Sequence, residues 1–187
     1  MTRTIGVAIA IPEPYGAQLQ AHRERFGDPS ARSIPTHVTL LPPTEVAESD
    51  LPRVEEHLSA VAQAEPGFEL HLRGTGSFRP VSPVVFITLV GGISDCERLE
   101  AAVRSGPLWR ETKFNYHPHV TVAHDVPDEA LDRAFHELRD YEIRFPVWGF
   151  SLYEHGSDGV WRPQRDFPFG RELPGPPLGH PQPAPDA

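Results

Sequence analysis

The chain has 187 residues, with 39% hydrophobic and 23% charged side chains, which suits one soluble domain of ordinary size. Its net charge of −9 argues against a broad basic face for long nucleic acid. One cysteine excludes a disulfide framework, a four-Cys zinc site and Cys-held iron–sulfur clusters.

Residues 3–11 alternate Ile5, Val7, Ile9 and Ile11 with Gly6, Ala8 and Ala10. They predict a strand packed on both faces, with small residues where something lies close. The apolar stretch is too short for a secretory signal, and no run of eighteen apolar residues exists, so a cytoplasmic location with no membrane contact is expected. Residues 13–26 predict a modest helix. Residues 37–41, HVTLL, predict a short strand ended by Pro42-Pro43.

Asp50 is placed to cap a helix reaching Ala64, with Leu51, Val54, Leu58 and Val61 on one face. Phe68, Leu70 and Leu72 read as a half-buried strand, and Gly74-Thr75-Gly76 as a turn. Residues 84–90, VVFITLV, predict a central strand. Ser94 with Glu97 predicts a capping box for a helix to Arg104 that buries Cys96, Leu99 and Val103. Residues 119–123 predict another short strand. Pro127-Asp128 opens a helix with Leu131, Ala134, Phe135 and Leu138 inward. Residues 142–153 and 159–163 close the fold as strands.

The order βαβαββαβαββ predicts α+β with mainly antiparallel sheets. Proline is abundant, 22 residues. Six of these lie in residues 174–187, PGPPLGHPQPAPDA, which predicts a disordered tail behind a single domain over 1–173.

One internal echo carries chemistry. Residues 35–41 are PTHVTLL and residues 117–123 are HPHVTVA. On a strand, positions i and i+2 share a face, so His37 pairs with Thr39 and His119 with Thr121, while Val38, Leu40, Val120 and Val122 face the core. Two such strands side by side would aim two imidazoles and two hydroxyls into one cleft. A neutral imidazole can then take a proton from an attacking oxygen while a protonated one gives a proton to the leaving oxygen. The threonine hydroxyls can bond the non-bridging phosphoryl oxygens.

Three other groups belong to this reading. Phe78 and Arg79 could stack a base and hold phosphate, or Phe78 could pack in the core. Tyr116 and Lys113 precede the second motif and could line the cleft rim. His117, His119, His124 and Asp125 could be read as a metal cluster, but that leaves His37-x-Thr39 unexplained. Trp148, Phe150 and Trp161 read as strand packing.

The segments IPTHVTLLPP (34–43) and YHPHVTVAH (116–124) resemble the two-histidine phosphoesterase superfamily, in its 2′-5′ RNA ligase or RNA 2′,3′-cyclic phosphodiesterase branch. GTGSFRPVSPVVFITL (74–89) and WGFSLYEHGSDGVW (148–161) agree with it. The resemblance covers residues 3–171. It implies a bilobal α+β fold of two pseudo-symmetric halves around a central cleft, with helices outside. It implies hydrolysis of a 2′,3′-cyclic phosphate to a 2′-phosphomonoester without metal or cofactor, in some members with 2′-5′ ligation. By analogy His37 would be the proton donor and His119 the acceptor. The acidic surface favours a small cyclic nucleotide or an RNA terminus as substrate, and a monomer is expected. The alternative reading is a non-catalytic module that binds nucleotides or RNA ends.

Overall fold

A computed structural model describes residues 1–170. The eight strands are β1 (Thr2–Ala10), β2 (His37–Ala47), β3 (Phe68–Ser77), β4 (Val84–Gly91), β5 (His119–His124), β6 (Glu142–Val147), β7 (Gly149–His155) and β8 (Trp161–Pro168). The four α-helices are α1 (Tyr15–Arg25), α2 (Leu51–Ala64), α3 (Ile93–Val103) and α4 (Asp128–Glu137). They build two antiparallel four-stranded sheets, ordered β2-β1-β7-β8 and β5-β4-β3-β6.

In each sheet the strand that pairs with a motif strand is buried on both faces. In β1 the run from Ile5 to Ile9 is buried, and in β4 the run from Val84 to Ile87. Continuous apolar character is what a strand flanked by two neighbours and covered on both sides requires. Each central strand pairs with a His-x-Thr strand, β1 with β2 and β4 with β5, and both motif strands are sheet edges. The halves are related in space but interleaved in sequence. The first sheet takes β1 and β2 from the start of the chain and β7 and β8 from its end; the second takes β3 to β6.

The helices lock the lobes together reciprocally. α1, from the first lobe's β1–β2 connection, packs on β5, while α3, from the β4–β5 connection, packs on β2. β2 and β5 also touch directly. One buried apolar cluster runs through both sheets, including Ile9, Leu40, Leu70, Ile87, Val120, Val122 and Leu152. Burying each such side chain contributes about 1.5–3 kcal/mol.

Several local expectations are revised. β2 does not stop at Pro42-Pro43. Its ladder pairs Leu41 with Val7 and Thr44 with Ile5, so two prolines oppose Gly6 alone. That is a bulge on an edge strand, where a missing N–H costs no ladder bond on the open side. Gly74-Thr75-Gly76 lies inside β3, where Gly74 takes φ +72° at a second register shift. Asp50 and Ser94 make no side-chain cap. Pro52 stands in the first turn of α2, and Gly92 is the N-cap residue of α3. Residues 142–153 are two strands, and the chain leaves one sheet for the other at Trp148. Cys96 is wholly buried and its thiol is pushed up to about 12 by desolvation, as a core role requires. No helix among the described residues is long and apolar enough to cross a membrane. The tail read at 174–187 lies outside the described residues.

Candidate active site

His37 and Thr39 open β2, and His119 and Thr121 open β5. The two motifs share one burial pattern. His37, Thr39, His119 and Thr121 are half-buried, while Val38, Leu40, Leu41, Val120, Val122 and Ala123 are buried. The strand period therefore splits each motif into an apolar anchor and a polar face.

The two imidazoles are held in the same way. His37 Nδ1 lies 2.7 Å from the Pro35 carbonyl, and His119 Nδ1 lies 2.7 Å from the His117 carbonyl. A carbonyl only accepts, so each Nδ1 carries a proton and donates. This leaves Nε2 as the atom that takes or gives a proton. His37 Nε2 is 3.1 Å from Thr39 Oγ1, so the neutral ring accepts the threonine O–H. The residue two before each histidine thus fixes its tautomer, which explains the extended proline-containing segment that precedes each motif.

Both rings are driven toward the neutral form. Desolvation lowers His37 to about 4, against the hydrogen bond to Pro35, and the charges of Arg23 and His119 push the same way. His119 is lowered chiefly by desolvation, with the charge of His117 adding to it. The charge of His119 is the smallest of the influences on His37, and the strands that carry the two histidines touch directly. Arg23 is itself buried on α1 in an ion pair with Asp28 at 2.9 Å. Nothing in the spacing of the sequence points to Arg23.

The remaining candidates divide. Phe78 meets the His119 ring edge-on at 4.9 Å between centroids, and Phe86 meets it at 5.3 Å. His117 packs against both phenylalanines at 5.4 Å. Gly76 makes this possible, because a Cβ there would fall 2.6 Å from the Phe86 ring. Arg79 reaches α4, where its guanidinium donates to Asp132 at 2.9 Å. Tyr116 spans the lobes, its hydroxyl donating to the Thr39 carbonyl at 2.7 Å. It ties the second motif's approach segment to the first motif's strand.

Sequence patterning marks Trp161 only as a late-strand packing residue and does not single out Tyr153. With Ile34, Pro42 and Pro43 they line a cavity of about 80 Å³ that also contains His37 and Thr39. Gly6 lets the Trp161 ring approach, since a Cβ there would lie 3.3 Å from it. A β8 residue reaches β2 only through the sheet order, which local patterning does not reveal. A larger cavity of about 350 Å³ lies at the β6–β7 crossover and includes Pro35 and Thr36, but neither motif histidine lines it. Among the described residues, no group of three His, Cys, Asp or Glu side chains is placed to share a metal ion. His124 instead lies beside Asp125 at 3.3 Å.

The neutral burial of the two rings has a consequence for stability. An unfolded histidine protonates near pH 6.5, whereas folded His37 does so near 4. Between these values the unfolded chain binds more protons, so stability falls as pH drops through that window. The variant His37→Gln should lose less stability than wild type between pH 6.5 and 4. Chemical denaturation at a series of pH values checks this, and parallel curves for the two proteins would contradict it.

The chain is similar to known proteins. The model of the 2′-5′ RNA ligase superfamily matches residues 11–159. A protein of Bacillus mycoides (strain KBAB4), named for an inferred phosphoesterase activity, is 28% identical over 172 residues, which are 90% of this chain and 98% of that one. The crystal structure of E. coli LigT complexed with 3′-AMP matches with a TM-score of 0.65 at 18% identity, covering 91% of this chain and all of LigT. A crystal structure from Thermus thermophilus matches with a TM-score of 0.65 at 24% identity, covering 91% of this chain and all of that one. At these identities the structural likeness speaks for the fold.

Proposed function

Because the chain belongs to the 2′-5′ RNA ligase superfamily, we propose that it is a metal-independent cyclic phosphodiesterase that opens a 2′,3′-cyclic phosphate to a 2′-phosphomonoester. The observation that carries this reading is the duplicated arrangement of His37 and His119. Each ring is pinned through Nδ1 to a backbone carbonyl, and the two rings stand at the starts of β2 and β5, edge strands that touch directly.

The chemistry follows from that pinning. Water attacks phosphorus in line with the P–O3′ bond. One Nε2 accepts the water proton, the P–O3′ bond breaks, and the other Nε2–H protonates the departing O3′. The product carries a 2′-phosphate and a 3′-hydroxyl. Thr39 and Thr121 donate to the non-bridging oxygens as their charge grows.

His37 suits the donor role and His119 the acceptor role. Burial lowers the proton affinity of His37, so once protonated it is the stronger acid. The anionic substrate supplies the field that protonates it. The Trp161 and Tyr153 pocket beside His37 suits the ribose and base next to the phosphate. LigT, a structural neighbour, was crystallised with 3′-AMP, which supports a nucleotide in the cleft. A 5′-hydroxyl standing in place of water would yield a 2′-5′ linkage by the same proton transfers.

The test is incubation of 2′,3′-cyclic AMP in excess EDTA with the product isomer identified by ³¹P NMR. The expected product is 2′-AMP. Formation of 3′-AMP, or activity that EDTA abolishes, would contradict the proposal.

A further inference from the structure

The segment joining α3 to β5 holds two aromatic rings out into solvent. Trp109 is 67% exposed and Phe114 is 77% exposed, and no other Phe, Tyr or Trp side chain of the described residues is exposed. A single exposed ring needs no explanation, but two on one short strap do.

The strap is fastened along β2. Arg110 Nη2 reaches the Glu45 carbonyl at 3.5 Å, and Tyr116 donates to the Thr39 carbonyl at 2.7 Å. Between these anchors residues 111–115 are exposed, and the chain then runs directly into His119. The rings therefore stand on a segment that runs along β2, Trp109 at its Glu45 end and Phe114 toward the Thr39 end beside the first motif.

The strap is also locally basic in a chain of net charge −9. It contains Lys113, the sole lysine, and Arg110, against Glu111 alone. Arg110 rests on the carbonyls of Pro107, Trp109 and Glu45, so these contacts leave its charge uncancelled. Exposed aromatic rings interleaved with cations are what single-stranded nucleic acid stacks on.

We propose that residues 109–114 form a stacking platform for single-stranded RNA, receiving the bases that lie 5′ of the terminal cyclic phosphate. Arg110 and Lys113 face the intervening phosphates. This rests on the cyclic phosphodiesterase reading and narrows its substrate to an oligonucleotide end, because a chain closed by a 2′,3′-cyclic phosphate continues only from its 5′ side. Two rings suit a few nucleotides, which agrees with the absence of an extended basic face in the composition.

The experiment compares kcat/KM for a tetraribonucleotide ending in a 2′,3′-cyclic phosphate with that for 2′,3′-cyclic AMP. Wild type should prefer the tetranucleotide through KM. The variant Trp109→Ala/Phe114→Ala should raise the tetranucleotide KM about tenfold or more. Its kcat/KM for cyclic AMP should stay within about twofold of wild type. No wild-type preference, or an equal loss on both substrates, would overturn the proposal. If neither substrate turns over, the catalytic reading fails by itself. Fluorescence anisotropy with a labelled 3′-phosphorylated tetraribonucleotide then decides the platform: weaker binding by the double variant supports it, and unchanged binding overturns it.

Discussion

Replacing His37 or His119 by alanine is expected to lower kcat for hydrolysis of a 2′,3′-cyclic phosphate by about 10²–10⁴-fold in each case. The reason is that each ring moves one proton in the same displacement. Without the acceptor, water attacks as a neutral molecule; without the donor, O3′ leaves as an alkoxide. The double variant should be little worse than the worse single one, because groups that act as a unit are not additive. Neither change should unfold the protein. Both rings are half-buried, and the apolar anchoring of β2 and β5 is carried by Val38, Leu40, Val120 and Val122. Near-wild-type activity in either folded variant would show that the ring does no chemistry.

The second large effect belongs to the threonines. Thr39→Val and Thr121→Val keep the shape of the side chain and remove the hydroxyl. Each is expected to reduce kcat by about 10²–10³-fold, the usual cost of losing one donor to a developing oxyanion. The loss should appear mainly in kcat, since the bond strengthens as charge accumulates in the transition state. For Thr39 a further readout exists. Its hydroxyl donates to His37 Nε2 in the free protein, so its removal frees that nitrogen and should raise the His37 pKa. An NMR titration follows the change, and an increase in KM with unchanged kcat would contradict the assigned role.

The motifs are legible in the sequence because their information is local. A period of two puts His and Thr on one face with valine behind, and both copies carry it. The central strands β1 and β4 are legible for the same reason, as runs apolar on both faces. What escapes depends on a partner distant in the chain. Pro42-Pro43 continues β2 only because Gly6 sits opposite, and a sequence window containing the prolines does not contain the glycine. Tyr116 joins the lobes by bonding a carbonyl on another strand. Trp161 enters the His37 pocket because β8 lies on β7, which lies on β1, which lies on β2. The Trp148 crossover is hidden because β6 and β7 together read as one extended apolar stretch, and only sheet membership separates them.

The alternating placement of the motif strands also explains why the fold suits a two-proton reaction. Each histidine strand is a sheet edge, and each is braced by a helix from the opposite lobe. Opening the lobes would have to break the α1–β5 and α3–β2 packing together. The placement of the two motif strands is therefore set by core packing, while the Pro35 and His117 carbonyls orient the rings.

The central claim is that His37 and His119 act on the same phosphate from its two sides. The most direct measurement is the pH dependence of kcat/KM in excess EDTA for wild type, His37→Ala and His119→Ala. In the free enzyme both rings are lowered from their ordinary value, His37 to about 4. The wild-type profile should be a bell whose maximum lies on the acidic side of the ordinary histidine value. Rate falls at low pH when the acceptor is protonated and at high pH when the donor loses its proton. Each variant should lose a different limb, the basic one in His37→Ala and the acidic one in His119→Ala. Loss of the same limb in both, or a wild-type profile without a bell, would contradict the account.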